Sequence, residues 1–332
     1  MNTLNHLTVI GGGSWATALV RIFSDSGVQI TWHLRSPETV AHVKEFGRNP
    51  NYLSFLQLKK ECIQPTSDIH EAVRSSGFIL FAVPSAYLEN IVSELEAPEM
   101  EDKNLLVSIK GIIPHHGLVP SDFLGKKFGV PPARHIILGG PCHAEEVALE
   151  RKTYITVAAE ESALAALVGD SIQLDFIKAI VSDDPLGIEM SAILKNIVGI
   201  ACGIAKGLNY GDNFQAVLVS NALREVGRFI GSLDEKPRDL TRSGYFGDLL
   251  VTAYSEYSRN RTFGQMIGRG YTVHLAQTEM DMVAEGYYAV DGIYNMARKM
   301  GQEMPVVSTV YRILYNKISP YIEFKLLEQK LI

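Results

Sequence analysis

Leu7-Thr8-Val9-Ile10-Gly11-Gly12-Gly13-Ser14-Trp15-Ala16-Thr17-Ala18-Leu19 is the stretch whose reading decides the fold. The first four residues make a short buried strand, the glycines make a turn, and an apolar pattern running to about Phe23 makes a helix. Strand, glycine turn and helix in that order, with G-x-G-x-x-A spacing, form the arrangement that binds a dinucleotide. Gly11 allows the tight turn, Gly13 lets backbone approach a pyrophosphate, and Ala16 keeps the helix close to its strand. Amides at the helix N-terminus then hold the phosphates. A glycine triplet alone is often only a turn, but the flanking strand and helix reverse that reading.

Working outward, Val28-Gln29-Ile30-Thr31-Trp32-His33-Leu34 is the second strand. An NAD-specific site has Asp or Glu at its end, for the ribose 2′-hydroxyl. This chain has Arg35-Ser36 there, and a guanidinium accepts a 2′-phosphate, which favours NADP over NAD; a solvated strand-end arginine is the bland alternative. Ser36-Pro37-Glu38 caps the next helix. After a polar connection from Asn49 to Lys60, strands recur at 78–83, stopped by Pro84-Ser85, at 105–109, stopped by Lys110-Gly111, and at 135–138, ended by Gly139-Gly140-Pro141. Unbroken β-branched and aromatic runs between helices describe a doubly wound parallel sheet covered on both faces. Ligands bind outside the carboxyl ends of such strands, where the fingerprint, Lys110 and Gly140-Pro141-Cys142 would meet. Runs at 153–158 and 176–181 extend the sheet.

After Asp183-Asp184-Pro185 no strand pattern returns. The division is therefore placed between a dinucleotide-binding domain, 1–183, and an all-helical domain, 184–332, as a chain of 332 residues suggests. The second domain opens on Glu189-Met190-Ser191-Ala192-Ile193-Leu194-Lys195-Asn196-Ile197-Val198-Gly199-Ile200-Ala201, apolar on all sides and so buried. Burial makes Lys195 expensive: it must be paired, snorkel to water, or shift its pKa downward. Ser191, Lys195, Gly199 and Gly203 fall four apart on one ridge, which leaves room for something to approach closely. A membrane span is disfavoured by Glu189, Lys195, Asn196 and the glycines.

Composition bounds the function class. Apolar content of 46%, charged content of 20% and a net charge of −6 fit a soluble globular protein and do not favour a nucleic-acid surface. Met1-Asn2-Thr3-Leu4-Asn5-His6 lacks the features of a secretion signal, so a cytoplasmic protein is expected. Cys62, Cys142 and Cys202 are scattered, without metal-site or disulfide spacing. No metal is expected.

Asp248, between a glycine turn and an apolar helix start, is either a helix-start carboxylate favoured by the dipole or a group fixing the lysine or a substrate hydroxyl. Ser258-Arg259-Asn260-Arg261 suits a phosphate dianion at a helix N-terminus, with a basic surface turn as the alternative. Cys142-His143 has the residue types of a nucleophile pair, but adjacent side chains point apart and no orienting acid is evident.

These motifs, with Ser108-Ile109-Lys110-Gly111, Gly140-Pro141-x-x-Ala144-x-Glu146, Leu194-Lys195-Asn196, Gly247-Asp248-Leu249 and Glu285-Gly286, resemble the NAD(P)-dependent glycerol-3-phosphate dehydrogenase family over nearly the whole chain. The order of the motifs is more specific than any one of them. The resemblance is to the bacterial biosynthetic type, which reduces dihydroxyacetone phosphate to sn-glycerol 3-phosphate for phospholipid synthesis. It implies a Rossmann domain followed by a helical domain of the 6-phosphogluconate dehydrogenase type. It implies Lys195 as general acid/base, with Lys110, Asn196, Asp248, Thr252, Ser258, Arg259 and Asn260 around the substrate and backbone contacts from Gly140 and Cys142. It implies Ser14, Trp15, Arg35, Lys110, Ala144, Arg259, Val283 and Glu285 at the cofactor, beside Gly11 and Gly13. Cys142-His143 departs from the family's hydroxyl residue followed by an aromatic.

The expected chemistry is hydride transfer from NADPH to a ketone, with Lys195 protonating the developing alkoxide at a pKa lowered by burial. A β-hydroxyacid or ketopantoate-type reductase shares the architecture but needs no phosphate group at 258–261, and an NADPH-sensing regulator would bind without turnover. The expected partner is a phosphorylated triose, with no nucleic acid and no membrane insertion; a homodimer is left open.

Overall fold

The computed structural model describes residues 4–280 and 284–332. An eight-stranded sheet occupies the first half: β1 (His6–Ile10), β2 (Gln29–His33), β3 (Ile63–Thr66), β4 (Phe78–Phe81), β5 (Asn104–Val107), β6 (His135–Gly139), β7 (Thr153–Ala158) and β8 (Ile177–Ser182), in spatial order 3-2-1-4-5-6-7-8. The first six are parallel, so the order reverses between β1 and β4, the crevice where doubly wound sheets bind ligands. Sequence pattern alone does not reveal β3, because Pro65 sits in it. It is an edge strand, where a missing N–H is tolerated.

The sheet departs from a purely parallel expectation at one ladder. β7 runs antiparallel to β6, with Gly139 opposite Thr156, and β8 is parallel to β7. The connection through Gly140 and the five-residue helix Ala144–Ala148 stays at the carboxyl end of β6, so the chain runs straight back. Gly140 makes that return possible. It has φ +97°, and a Cβ would lie 2.9 Å from the carbonyl oxygen of Tyr154.

Helix starts follow their caps. Ser36 accepts from the Thr39 amide at 3.2 Å with Pro37 behind it, and Asp68 accepts from the amides of His70 and Glu71. The core of this half is the apolar side of the sheet, with Trp32, Phe23, Leu19 and Ile22 fully buried.

No strand follows Ser182 among the described residues. The chain divides into two compact units: residues 1–109 with 120–188, and residues 110–119 with 189–332. The split falls inside the helix Pro185–Gly207, hereafter the lysine helix, rather than at Asp184. Its first turn belongs with the sheet because Asp184 accepts from the Gly187 amide and Gly139 leaves space only for Ile188. Residues 110–119 belong with the helices because Asn196 Nδ2 donates to the Lys110 carbonyl at 2.8 Å and Ile112 fills the space left by Gly292.

The lysine helix is long and apolar enough to cross a membrane, and it is buried within the protein as its all-round apolar pattern requires. The small ridge read as room beside Lys195 is filled. Another helix, Arg259–Gly268, crosses the lysine helix at close range through glycines on both sides. A Cβ at Gly203 would overlap the Arg261 carbonyl and lie 2.8 Å from the Gln265 amide nitrogen. One at Gly264 would lie 2.9 Å from the Ile200 carbonyl carbon, and one at Gly207 would lie 2.5 Å from the Gln265 oxygen. The backbones touch where side chains would have held the helices 8–10 Å apart.

Candidate active site

In the first unit the glycine turn is built for close approach. Gly11 has φ +134°, a conformation costly for any other residue, and its Cβ position lies 2.9 Å from the Ala82 carbonyl carbon. Gly13 is the N-cap of helix Ser14–Asp25, with no side-chain cap, and nothing lies within 4 Å of its Cβ position. The helix therefore offers its first amides, and the positive end of its dipole, to open space. Two side chains that sequence motifs do not mark brace the turn from behind. Trp32 Nε1 donates to the Gly11 carbonyl at 2.6 Å. Asn49, fully buried, donates from Nδ2 to the Gly12 carbonyl at 2.9 Å and to Thr17 Oγ1 at 2.8 Å. Both turn carbonyls are thereby satisfied from within the protein, which leaves the amide side for a ligand. The only signal for either brace is an asparagine at the head of a polar connection.

The other positions expected at the cofactor or the substrate in this unit fall into place one by one. Ser14 is buried and Trp15 half-buried in the first turn of that helix. Arg35 is exposed just past β2, with no ion pair among the described residues, and Ser36 beside it is used as a cap. Ala144 is buried at the start of its short helix. Cys142 is buried, and its thiol donates to the Gly140 carbonyl at 3.2 Å. That bond makes Cys142 a brace of its loop.

In the second unit Lys195, only 6% exposed, donates from Nζ to Oδ1 of Asp248, which is fully buried. A buried ammonium needs such a partner. Asp248 is the first residue of helix Asp248–Tyr254, entered through the turn Ser243–Gly247. It is thus both a helix-start carboxylate and the group that fixes the lysine. Its second oxygen, Oδ2, is buried and has no hydrogen-bond partner, an acceptor left open beside an ammonium. Glu225 marks the contrast: equally buried, it spends both oxygens on the amides of Val306 and Val307, at 2.9 and 3.0 Å, and serves only to cap helix Pro305–Leu314.

The glycine crossing brings the remaining groups together. Gly199 on the lysine helix packs against the Thr252 methyl, with the Asn260 Cβ 3.3 Å and Ser258 Oγ 3.6 Å from its own Cβ position. Thr252 donates its hydroxyl to the Asp248 carbonyl at 2.8 Å, and Ser258 caps its helix by accepting from the Arg261 amide at 3.3 Å. Either hydroxyl oxygen retains a lone pair for a ligand. Asn260 Oδ1 accepts from the Gly286 amide at 2.9 Å, which orients its NH2 group. Gly286 in turn has no room for a side chain, its Cβ position being 2.7 Å from the Asn196 carbonyl. Lys195, Asn196, Asp248, Thr252, Ser258 and Asn260 are buried, Lys110 and Glu285 half-buried, and Arg259 exposed at the first turn of the crossing helix. Val283 lies outside the described residues. Among the described residues no cluster of His, Cys, Asp or Glu could hold a metal.

Residues 6–165 match the family model of the NAD-dependent glycerol-3-phosphate dehydrogenase N-terminus, and residues 184–324 match that of its C-terminus. The chain belongs to this family. The glycerol-3-phosphate dehydrogenase (NAD(P)+) 2 of Salinibacter ruber is 36% identical over 316 residues, 95% of this chain and 91% of the relative. That of Staphylococcus carnosus is 31% identical over 95% of each chain. Among solved structures, glycerol-3-phosphate dehydrogenase from Coxiella burnetii superimposes with a TM-score of 0.90 at 27% identity, covering 98% of this chain and 99% of that one. Family membership rules in favour of a dehydrogenase and against the β-hydroxyacid and ketopantoate readings. A glycerol-3-phosphate dehydrogenase needs a dinucleotide, and the open amide turn at Gly13 fits one.

Proposed function

We propose that this protein is an NAD(P)H-dependent glycerol-3-phosphate dehydrogenase that reduces dihydroxyacetone phosphate to sn-glycerol 3-phosphate, with Lys195 as general acid/base. The observation that carries the role of Lys195 is its buried ammonium, bonded to an aspartate whose other oxygen is open. The bound dinucleotide supplies the hydride. As the ketone carbon gains it, the carbonyl oxygen becomes an alkoxide, and Lys195 Nζ–H gives that oxygen a proton. The same ammonium stabilises the charge before transfer, in a site where water is excluded. Asp248 holds the lysine in place and offers Oδ2 to a substrate hydroxyl. Arg259 and Asn260 bind the phosphate, so that binding energy far from the reacting carbon is used for orientation. Lys110, Thr252 and Ser258 complete the substrate's surroundings, while Ser14, Trp15, Ala144 and Glu285 join the glycine turn at the cofactor.

The test is NADPH oxidation with dihydroxyacetone phosphate, followed by absorbance. Lys195→Ala is expected to lower kcat by about 10²–10⁴-fold with NADPH affinity unchanged. Near-normal turnover would reject the role, and binding without any turnover by the wild type would restore the nucleotide-sensor reading.

Arg35, exposed and unpaired among the described residues, supports a preference for NADP. Arg35→Asp is expected to weaken NADPH by about tenfold or more while sparing NADH, roughly the loss of one charge-assisted pair. Equal effects on both cofactors would remove Arg35 from the 2′-phosphate. The proposed setting is the cytoplasm, with the product entering glycerophospholipid synthesis.

A further inference from the structure

The second unit carries a cleft of about 380 Å³ at the end of the glycine crossing remote from Lys195. Lys206, which lines it, lies eleven residues beyond Lys195 on the same helix, roughly 16 Å along the axis. The crossing helix and its end contribute Arg261, Gln265 and Arg269, and helix Asp212–Leu233 contributes Asp212 from its first turn. Three cations therefore face one carboxylate, in a chain whose net charge is −6.

Bland explanations cover part of this. Lys206 suits the negative end of its own helix, and Arg269 is an exposed side chain. They do not cover Arg261. Its Nε is shielded from solvent and has no hydrogen-bond partner, and none of Lys206, Arg261 and Arg269 makes a side-chain hydrogen bond or ion pair among the described residues. The shielded Nε faces away from the cleft water, so the charge of the Arg261 guanidinium, which lines the cleft without a carboxylate bonded to it, is what an anion there would balance. Helix Asp212–Leu233 points the same way. It begins at this cleft with Gly211 as its N-cap and no side-chain cap, so the positive end of a 22-residue helix adds to the field.

We propose that this cleft is a second anion site, separate from the phosphate group at Arg259 and Asn260, and that it takes a phosphomonoester dianion the size of a sugar phosphate. Three cations less one carboxylate leave two positive charges, which balance that dianion. The volume lies in the range of small-metabolite sites, and Gln265 and the exposed Tyr254 supply hydroxyl-binding and ring-covering walls. A ligand bridging Lys206 and Arg261 joins the lysine helix to the crossing helix at one end of their contact, while Lys195 and Asn260 occupy the other.

The experiment is a calorimetric titration of the full chain, saturated with NADP+, with inorganic phosphate at constant ionic strength. Wild type is expected to take two phosphates per chain. Arg259→Gln should take one, lost from the substrate group, and Lys206→Gln/Arg269→Gln should take one, with the second site weakened by about tenfold or more. Arg269→Lys keeps the charge and should retain both sites, which separates loss of the anion from loss of fold; NADP+ affinity unchanged in Lys206→Gln/Arg269→Gln and in Arg269→Lys is the second control. The proposal is overturned if Lys206→Gln/Arg269→Gln binds phosphate as wild type does. It is equally overturned if wild type shows a single site that disappears in Arg259→Gln.

Discussion

A Cβ added at Gly13 would meet nothing within 4 Å, whereas one added at Gly203 would overlap the carbonyl oxygen of Arg261. Both glycines sit where small size matters, one at the head of a helix in the sheet unit and one inside a helix of the lysine unit. The first keeps backbone amides open for a ligand; the second lets another backbone in. In sequence both appear as small residues beside chemistry. The occupant of the space, not the residue type, separates binding from packing. At the lysine helix the occupant is the crossing helix, which places Ser258 and Asn260 against the turn that carries Lys195. Packing there does indirectly what the fingerprint does directly.

The largest effect that tests this contrast is at the crossing. Gly203→Ala forces two helix backbones apart, since neither the Arg261 carbonyl nor the Gln265 amide can swing aside as a side chain would. A loss of about 3 kcal/mol in unfolding free energy is expected from denaturant midpoints. The surviving folded protein should show a raised KM for dihydroxyacetone phosphate, because Ser258 and Asn260 move with the crossing helix. Unchanged stability and KM would mean that the glycines do not set the helix spacing.

Gly13→Ala comes next and should behave in the opposite way. Its φ of −79° suits alanine and its surroundings are empty, so stability should stay within about 0.5 kcal/mol of wild type. NADPH affinity should fall by about tenfold or more, as the methyl group occupies the pyrophosphate's approach. Intact affinity would assign that open space to something else.

How much of the molecule is legible in its sequence follows from the range of the interactions involved. Local signals suffice for strand, glycine turn and helix at 7–23, for the Ser36-Pro37 cap, and for the strands at 78–83, 105–109 and 135–138, each within a residue or two. They fail at β3, because Pro65 is a breaker by local rules and only the edge position excuses it. The candidate site is legible as a set of residues, since Lys195, Asp248 and Asn260 lie in short motifs. Their bonding is not. That Asp248 pairs with Lys195, 53 residues away, leaving Oδ2 open, depends on the tertiary fold. So do the braces from Trp32 and Asn49, 21 and 37 residues from the carbonyls they hold. The glycine ridge and the close approach it allows are visible in the sequence, but that a second helix backbone makes the approach is not, because periodicity shows a gap on a helix face and not what fills it.

The smallest effect isolates a third class of glycine. Gly231 lies within helix Asp212–Leu233, is exposed, and has nothing within 4 Å of its Cβ position, as at Gly13. It lies in the last turn of that helix, at the end opposite its free N-terminus, and no ligand-binding role is expected of it. If open space alone marked a binding glycine, Gly231→Ala would disturb function. If the position of that space decides, the substitution should instead stabilise the protein by roughly 0.5–1 kcal/mol, the propensity difference between glycine and alanine inside a helix, with kcat, KM and NADPH affinity unchanged. A denaturant titration beside the standard assay decides it. A loss of affinity would show that empty space around a glycine is enough to predict a ligand. A gain in stability with unchanged kinetics would show that the space must also lie before the first turn of a helix that has no side-chain cap, as it does at Gly13.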